Sequence, residues 1–240
     1  MRVGAGMHDL RNFYIRANTC VACHQNLDAD LLAAGHPELT FELDGQSVAE
    51  PEHWRDAEPW SGARAWLVGQ AVALREVSWM LANSESPATE ATWRWNALVW
   101  LLAKATADQA RLQSIDLPGS NVSKAQFAIM QEQADLLARQ ASAMPWEQNR
   151  APTILRALAA TEPDFVVSPG AEPDLLFPRA SRLVLALDRL ARAVAQQAPA
   201  PPIAAALAAL FEDVRAQSDF QPAKFAADLT IFRETIGDTP

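Results

Sequence analysis

Only two cysteines, nine glycines and a single tyrosine occur in the 240 residues. With no third cysteine, a structural zinc site would have to recruit distant histidines. Glycine-rich turn patterns and β-branched runs are sparse, which leaves a composition that favours helices. No basic cluster appears anywhere, and the net charge of −9 with a pI near 4.9 argues against binding to nucleic acid or an anionic membrane. Such an acidic surface suits solubility or a basic partner. No apolar run reaches the length needed to span a bilayer, the richest segment being Ala97 to Ala103. Met1 to Leu10 has no basic end followed by an apolar core, so no secretory signal is read there.

What is present is concentrated near the N-terminus. Asn18 to Pro37 contains Cys20, Cys23 and His24, a C-x-x-C-H that uses both cysteines. Two thiols three positions apart can add to the two vinyl groups of one porphyrin, and the histidine that follows is placed to coordinate its iron from one face. The motif therefore reads as a site for one covalent haem c. A redox dithiol would want a preceding strand and a βαβ pattern, neither of which is found. Zinc and a chance match are the remaining alternatives.

Periodicity organises the rest. Residues 8–24 form a helical approach with Leu10, Phe13, Tyr14 and Ala17 on one side. Asp28 to Ala34 is a second short helix, closed by Gly35 as the C′ residue. Residues 38–60 are an irregular connection, with turn signals at Asp44-Gly45, Pro51 and Pro59. Helices are then expected from Ser61 as a cap to Asn83, from Ser86-Pro87 to Ile115, and from Leu117–Asn121 to Ala143. Shorter ones follow over 152–160, 179–197, 203–217 and 222–236, the last stopped by Gly237. The expected architecture is all-α. An N-terminal haem c segment (residues 1–60) packs on an antiparallel helical bundle (residues 61–240).

Three runs carry more than the attachment signature. They are Asp9-Leu-Arg-Asn-Phe-Tyr-Ile-Arg-Ala-Asn-Thr-Cys-Val-Ala-Cys-His24, Ala34-Gly-His-Pro-Glu-Leu-Thr-Phe-Glu-Leu43 and Glu52-His-Trp-Arg-Asp56. Together they resemble multihaem c-type cytochromes related to the tetrahaem cytochromes of nitrifying bacteria. The resemblance covers about the first 60 residues. It implies that the histidine of Ala-Gly-His-Pro, here His36, is a distal haem ligand. Covalent haem attachment is an export-side process in bacteria, so an exported, periplasmic setting is expected, with redox partner proteins or further cytochrome subunits. Where family members hold several haems, this chain has one attachment motif, which lowers the expectation of catalysis.

With His24 as the proximal iron ligand, His36 twelve residues on is the expected sixth ligand, since a segment of that length can arch around the porphyrin edge. His8 is the runner-up. His53, beside Trp54, reads as a packing or hydrogen-bonding residue, and the methionines read as core fillers. Trp93 and Trp95 cannot share a helix face, and core plus amphipathic surface is the expected reading of the tryptophans. The resulting expectation is a single-haem, bis-histidine c-type cytochrome that transfers one electron and is not an enzyme. The alternatives are a haem-bearing assembly subunit of a respiratory or photosynthetic complex, or an enzyme or gas sensor with a vacant iron position.

Overall fold

The computed structural model of the chain describes residues 6–25, 30–31, 34–36, 40–48, 56, 60–107, 109, 111–117, 122–147, 149–166, 173–196 and 198–237. The fold is all-α. Among the described residues there are nine α-helices and no strand. They are α1 (Phe13–His24), α2 (Leu43–Val48), α3 (Ser61–Asn83), α4 (Thr89–Thr106), α5 (Lys124–Ala143), α6 (Arg150–Ala159), α7 (Pro173–Ala195), α8 (Pro201–Asp213) and α9 (Pro222–Gly237). No helix among the described residues is long and apolar enough to cross a membrane.

The chain forms two compact units. Unit 1 comprises Met1–Pro87 and Ala110–Trp146, and unit 2 comprises Ala88–Gln109 and Glu147–Pro240. Residues 61–240, expected as one bundle, thus contribute to both units, and the N-terminal 60 residues share a unit with α3 and α5.

In unit 1, α3 and α5 pack along their length. They run antiparallel, since Arg64 near the start of α3 meets Ala141 near the end of α5, while Arg75 further along α3 meets Asp135. Trp66, Leu67, Leu74, Val77 and Leu81 of α3 are all buried in the core. The start of α3 differs from expectation. Ser61 is the first helical residue, and the cap position is Trp60, held at φ 67° with no side-chain cap. α5 begins at Lys124, after a reciprocal capping box in which Ser123 and Gln126 each bond the other's backbone N–H.

The connection expected to be irregular over 38–60 contains α2. Phe41 and Leu43 are buried, and Gly69 on α3 leaves room for Leu43: a Cβ there would lie 2.9 Å from Leu43 Cβ and 3.0 Å from Leu43 N. This burial against α3 overrides the turn propensity of Asp44-Gly45.

In unit 2, α7 packs on α4 and α6, and α9 packs on α8 and on the 3₁₀ turn Glu162–Phe165. Its core holds an aromatic chain in which Trp100, Phe165 and Phe225 meet edge to face at 5.7 and 4.7 Å between ring centroids. The Trp100 indole N–H donates to Asp164 Oδ2 at 2.7 Å, which satisfies its buried donor. Several helix bounds differ from expectation. α4 starts at Thr89, with Ala88 and not Ser86 at the cap position, and α8 stops at Asp213, short of residue 217. α4 stops at Thr106, short of Ile115; beyond it Arg111 turns to φ 70° and the Gln113 N–H donates to Gln140 Oε1 on α5. α7 starts at Pro173, six residues before Arg179, and carries Pro178 inside it.

Candidate functional site

The site is built on α1. Asn12 caps it by accepting from the Ile15 N–H at 3.1 Å, and Phe13, Ala17 and Val21 form its buried ridge at i, i+4 and i+8. Leu10, expected on this face, lies before the helix. Two flanks border the ridge.

Along one flank stand Tyr14 and Asn18. The Tyr14 hydroxyl donates to Asp135 Oδ1 at 2.7 Å, and its backbone N–H donates to Ser142 Oγ at 3.1 Å, both on α5. Arg75 of α3 donates to Asp135 at 2.9 Å and to Asn18 Oδ1 at 2.6 Å. Arg139 donates to the other Asp135 oxygen at 2.7 Å and lies over the Tyr14 ring, 4.5 Å from its centroid. Burial pushes the Tyr14 phenol up, and the neighbouring Asp135 carboxylate adds to this. Burial also works against ionisation of Asp135, but its hydrogen bonds from Arg139, Tyr14 and Arg75 outweigh that and hold the carboxyl below its ordinary value.

Arg16, Cys20 and Cys23 share the other flank, at i, i+4 and i+7. Arg16 is only 3 % exposed. It donates from two guanidinium nitrogens to the two Asp56 oxygens, each at 2.8 Å, and from Nε to the Leu10 carbonyl at 2.7 Å, and it covers the Phe13 ring at 4.8 Å. Both thiols are free. Cys20 is half-buried and Cys23 exposed. Burial pushes the Cys20 thiol up, against a smaller opposing effect of the Arg16 charge.

His24 closes α1. His36 is exposed, directly after the expected helix stop. Gly35 sits at φ 91°, and the His36 N–H donates to the Leu31 carbonyl at 3.0 Å, the six-to-one bond of a Schellman motif. His8 is exposed, and His53 lies outside the described residues. Met130 is core, whereas Met7 is 58 % exposed. Trp95 is buried and Trp93 half-buried, as expected for residues on different faces.

The structure thus brings Cys20 and Cys23 together on one turn and presents His36 from a separate, capped turn. Among the described residues no three His, Cys, Asp or Glu side chains converge as a metal-binding group. A reactive dithiol needs a lowered thiol pKa, such as a helix N-terminus supplies. Here the pair stands at the opposite end of α1 from its N-terminus, and burial raises the Cys20 thiol. Two free thiols on one flank, one of them open to solvent, fit covalent attachment of a single porphyrin.

Sequence reading missed Arg75, Asp135 and Asp56. Arg16 was open to discovery, being a charge four residues before Cys20 on a helix whose next strip is apolar. Comparison with known protein families, with curated proteins and with solved structures finds no match to this chain.

Proposed function

We propose that this chain is a single-haem c-type cytochrome that carries out one-electron transfer on the exported side of a bacterial membrane. The observation that carries the reading is the pair of free thiols on one flank of α1, directly before His24. The resemblance of the first 60 residues to multihaem c-type cytochromes points the same way. Cys20 and Cys23 would hold the haem covalently, with His24 and His36 as its axial ligands. The haem, when bound, supplies an iron that accepts and releases one electron, and two nitrogen ligands favour a lower potential than a histidine–methionine pair. The chain's own residues hold the geometry. The ridge of Phe13, Ala17 and Val21 fixes α1, Arg75 and Asp135 stop it from rolling, and the Gly35 stop fixes the backbone that carries His36.

The test is a pyridine haemochrome spectrum of protein produced in a host that attaches haem c. Covalent haem with a low-spin spectrum is expected, and its absence overturns the reading. His36→Ala is expected to turn the spectrum high-spin. An unchanged low-spin spectrum moves the sixth ligand to His8 or a methionine. Resistance of the reduced protein to carbon monoxide separates this reading from an enzyme or gas sensor.

One observation favours a second reading, a haem-bearing subunit of a larger electron-transfer complex. Every cysteine, histidine and methionine lies in the stretches that form unit 1, and unit 2 contains none of these residue types. Unit 2 is therefore a large helical body with no sulfur or imidazole ligand of its own, as a docking body would be. A stable complex that survives gel filtration of a native extract would support it, and a lone monomer that exchanges electrons with small carriers would overturn it.

A further inference from the structure

The Arg16–Asp56 ion pair stands on the thiol flank of α1, and the proposed function leaves it unused. Its guanidinium is almost entirely buried one helical turn before Cys20 and two before Cys23, held by both Asp56 oxygens and the Leu10 carbonyl. A surface arginine would be screened by water and salt, but this one is fixed in place and desolvated, so its charge acts at short range. Arg75 and Arg139 lie on the opposite flank and are engaged by Asp135, and Arg64 lies over the Phe13 ring at 5.3 Å and donates to the Ala141 carbonyl.

We propose that the Arg16–Asp56 pair sets the reduction potential of the group that Cys20 and Cys23 anchor. Arg16 acts as a fixed positive charge beside the site, and Asp56 as its counter-charge. This rests on the haem reading above. Neither residue touches the iron; both act through the local field. Reduction adds one negative charge, so a cation nearby favours the reduced form and an anion nearby favours the oxidised form. The two partners therefore have opposite effects when removed singly, whereas loss of a purely structural ion pair moves a property the same way from either side.

The experiment is redox titration of haem-loaded full-length protein in the wild type, Asp56→Asn, Arg16→Met and the double variant. The potential is expected to rise in Asp56→Asn, fall in Arg16→Met and return towards the wild-type value in the double variant. Shifts of the same sign, or none, overturn the proposal. Asp56 is at the edge of the fold, with a side chain 22 % exposed. If Arg16→Met does not fold, Asp56→Asn decides by itself, a rise supporting the proposal and a fall or no change overturning it. Alkylation of the haem-free chain gives a second readout, with the thiolate at Cys20 expected to form more readily in Asp56→Asn than in wild type. A wild-type chain that attaches no haem overturns the functional reading itself, whereas haem attached with the wrong pattern of shifts overturns this inference only.

Discussion

Tyr14, the only tyrosine, and Asp135 are 121 positions apart, yet the phenol of one donates a 2.7 Å hydrogen bond to the carboxylate of the other. This contact ties the helix of the candidate site to α5, while Arg75 brings in α3. Tyr14→Phe removes the donor and leaves the ring under Arg139. The expected loss is about 1–2 kcal/mol, the range for a half-buried hydrogen bond to a charged group. Urea unfolding measures it, and an unchanged midpoint would show that the bond contributes nothing net.

Two aspartates give the pH dependence of stability opposite slopes. Asp135 is held below the ordinary 3.8, so its contribution is present above that pH and is lost as pH falls through the depressed folded value. Asp213 on α8 is pushed above 3.8, first by burial and then by a hydrogen bond with Asp228, with Lys224 opposing. Its contribution is present below 3.8 and is lost as pH rises through the raised folded value. Asp135→Asn is therefore expected to flatten the acid limb of a stability–pH profile. Asp213→Asn is expected to gain on the wild type as pH rises from about 4 towards neutrality. Thermal melts from pH 3 to 7 decide both, and a parallel profile for either variant would refute its assignment.

How much of this could be read in the sequence depended on whether the signal was local. Gly35 was legible as a helix stop because it needs only its own neighbours, and it does take the left-handed φ a C′ residue needs, whereas Gly237, expected to stop the last helix, is still helical. The thiol spacing of Cys20 and Cys23 is local as well. The end of α4 was not, since Gln113, expected inside the helix, donates its N–H to the side chain of Gln140, which is distant in sequence. Nor was α2, whose formation depends on a vacancy at Gly69. Pro178 suggested a start at Arg179, yet α7 begins at Pro173 and takes Pro178 into its second turn despite the ladder bond that proline removes. The Ser123 to Gln126 capping box was local and available, and it gives the start of α5 more sharply than the Pro118-Gly119 turn signal did.

Gly69→Ala tests the close approach of α2 to α3. In an exposed helix the change would stabilise by up to about 1 kcal/mol. Here the new methyl would sit 2.9 Å from Leu43 Cβ and 3.0 Å from a backbone nitrogen, so α2 itself must move. The expected net loss is about 1–3 kcal/mol, as for overpacking elsewhere. Chemical denaturation reads it, and a stabilised variant would mean that α2 yields without penalty.

The two thiols of the haem-free chain are not equivalent. Cys20 is half-buried beside the α1 ridge and its thiol is pushed up by that burial, whereas Cys23 is exposed on the last turn. Alkylation requires both access and thiolate, and Cys20 is short of each. Cys23 is therefore expected to react with iodoacetamide about tenfold faster than Cys20 at pH 8. Peptide mapping of a time course separates the two, and 4 M urea is expected to bring their rates together by removing the burial. Equal rates in the native chain would show that α1 frays past Asn18, in which case the flank that holds Cys20 and Cys23 is formed only when the chain is loaded.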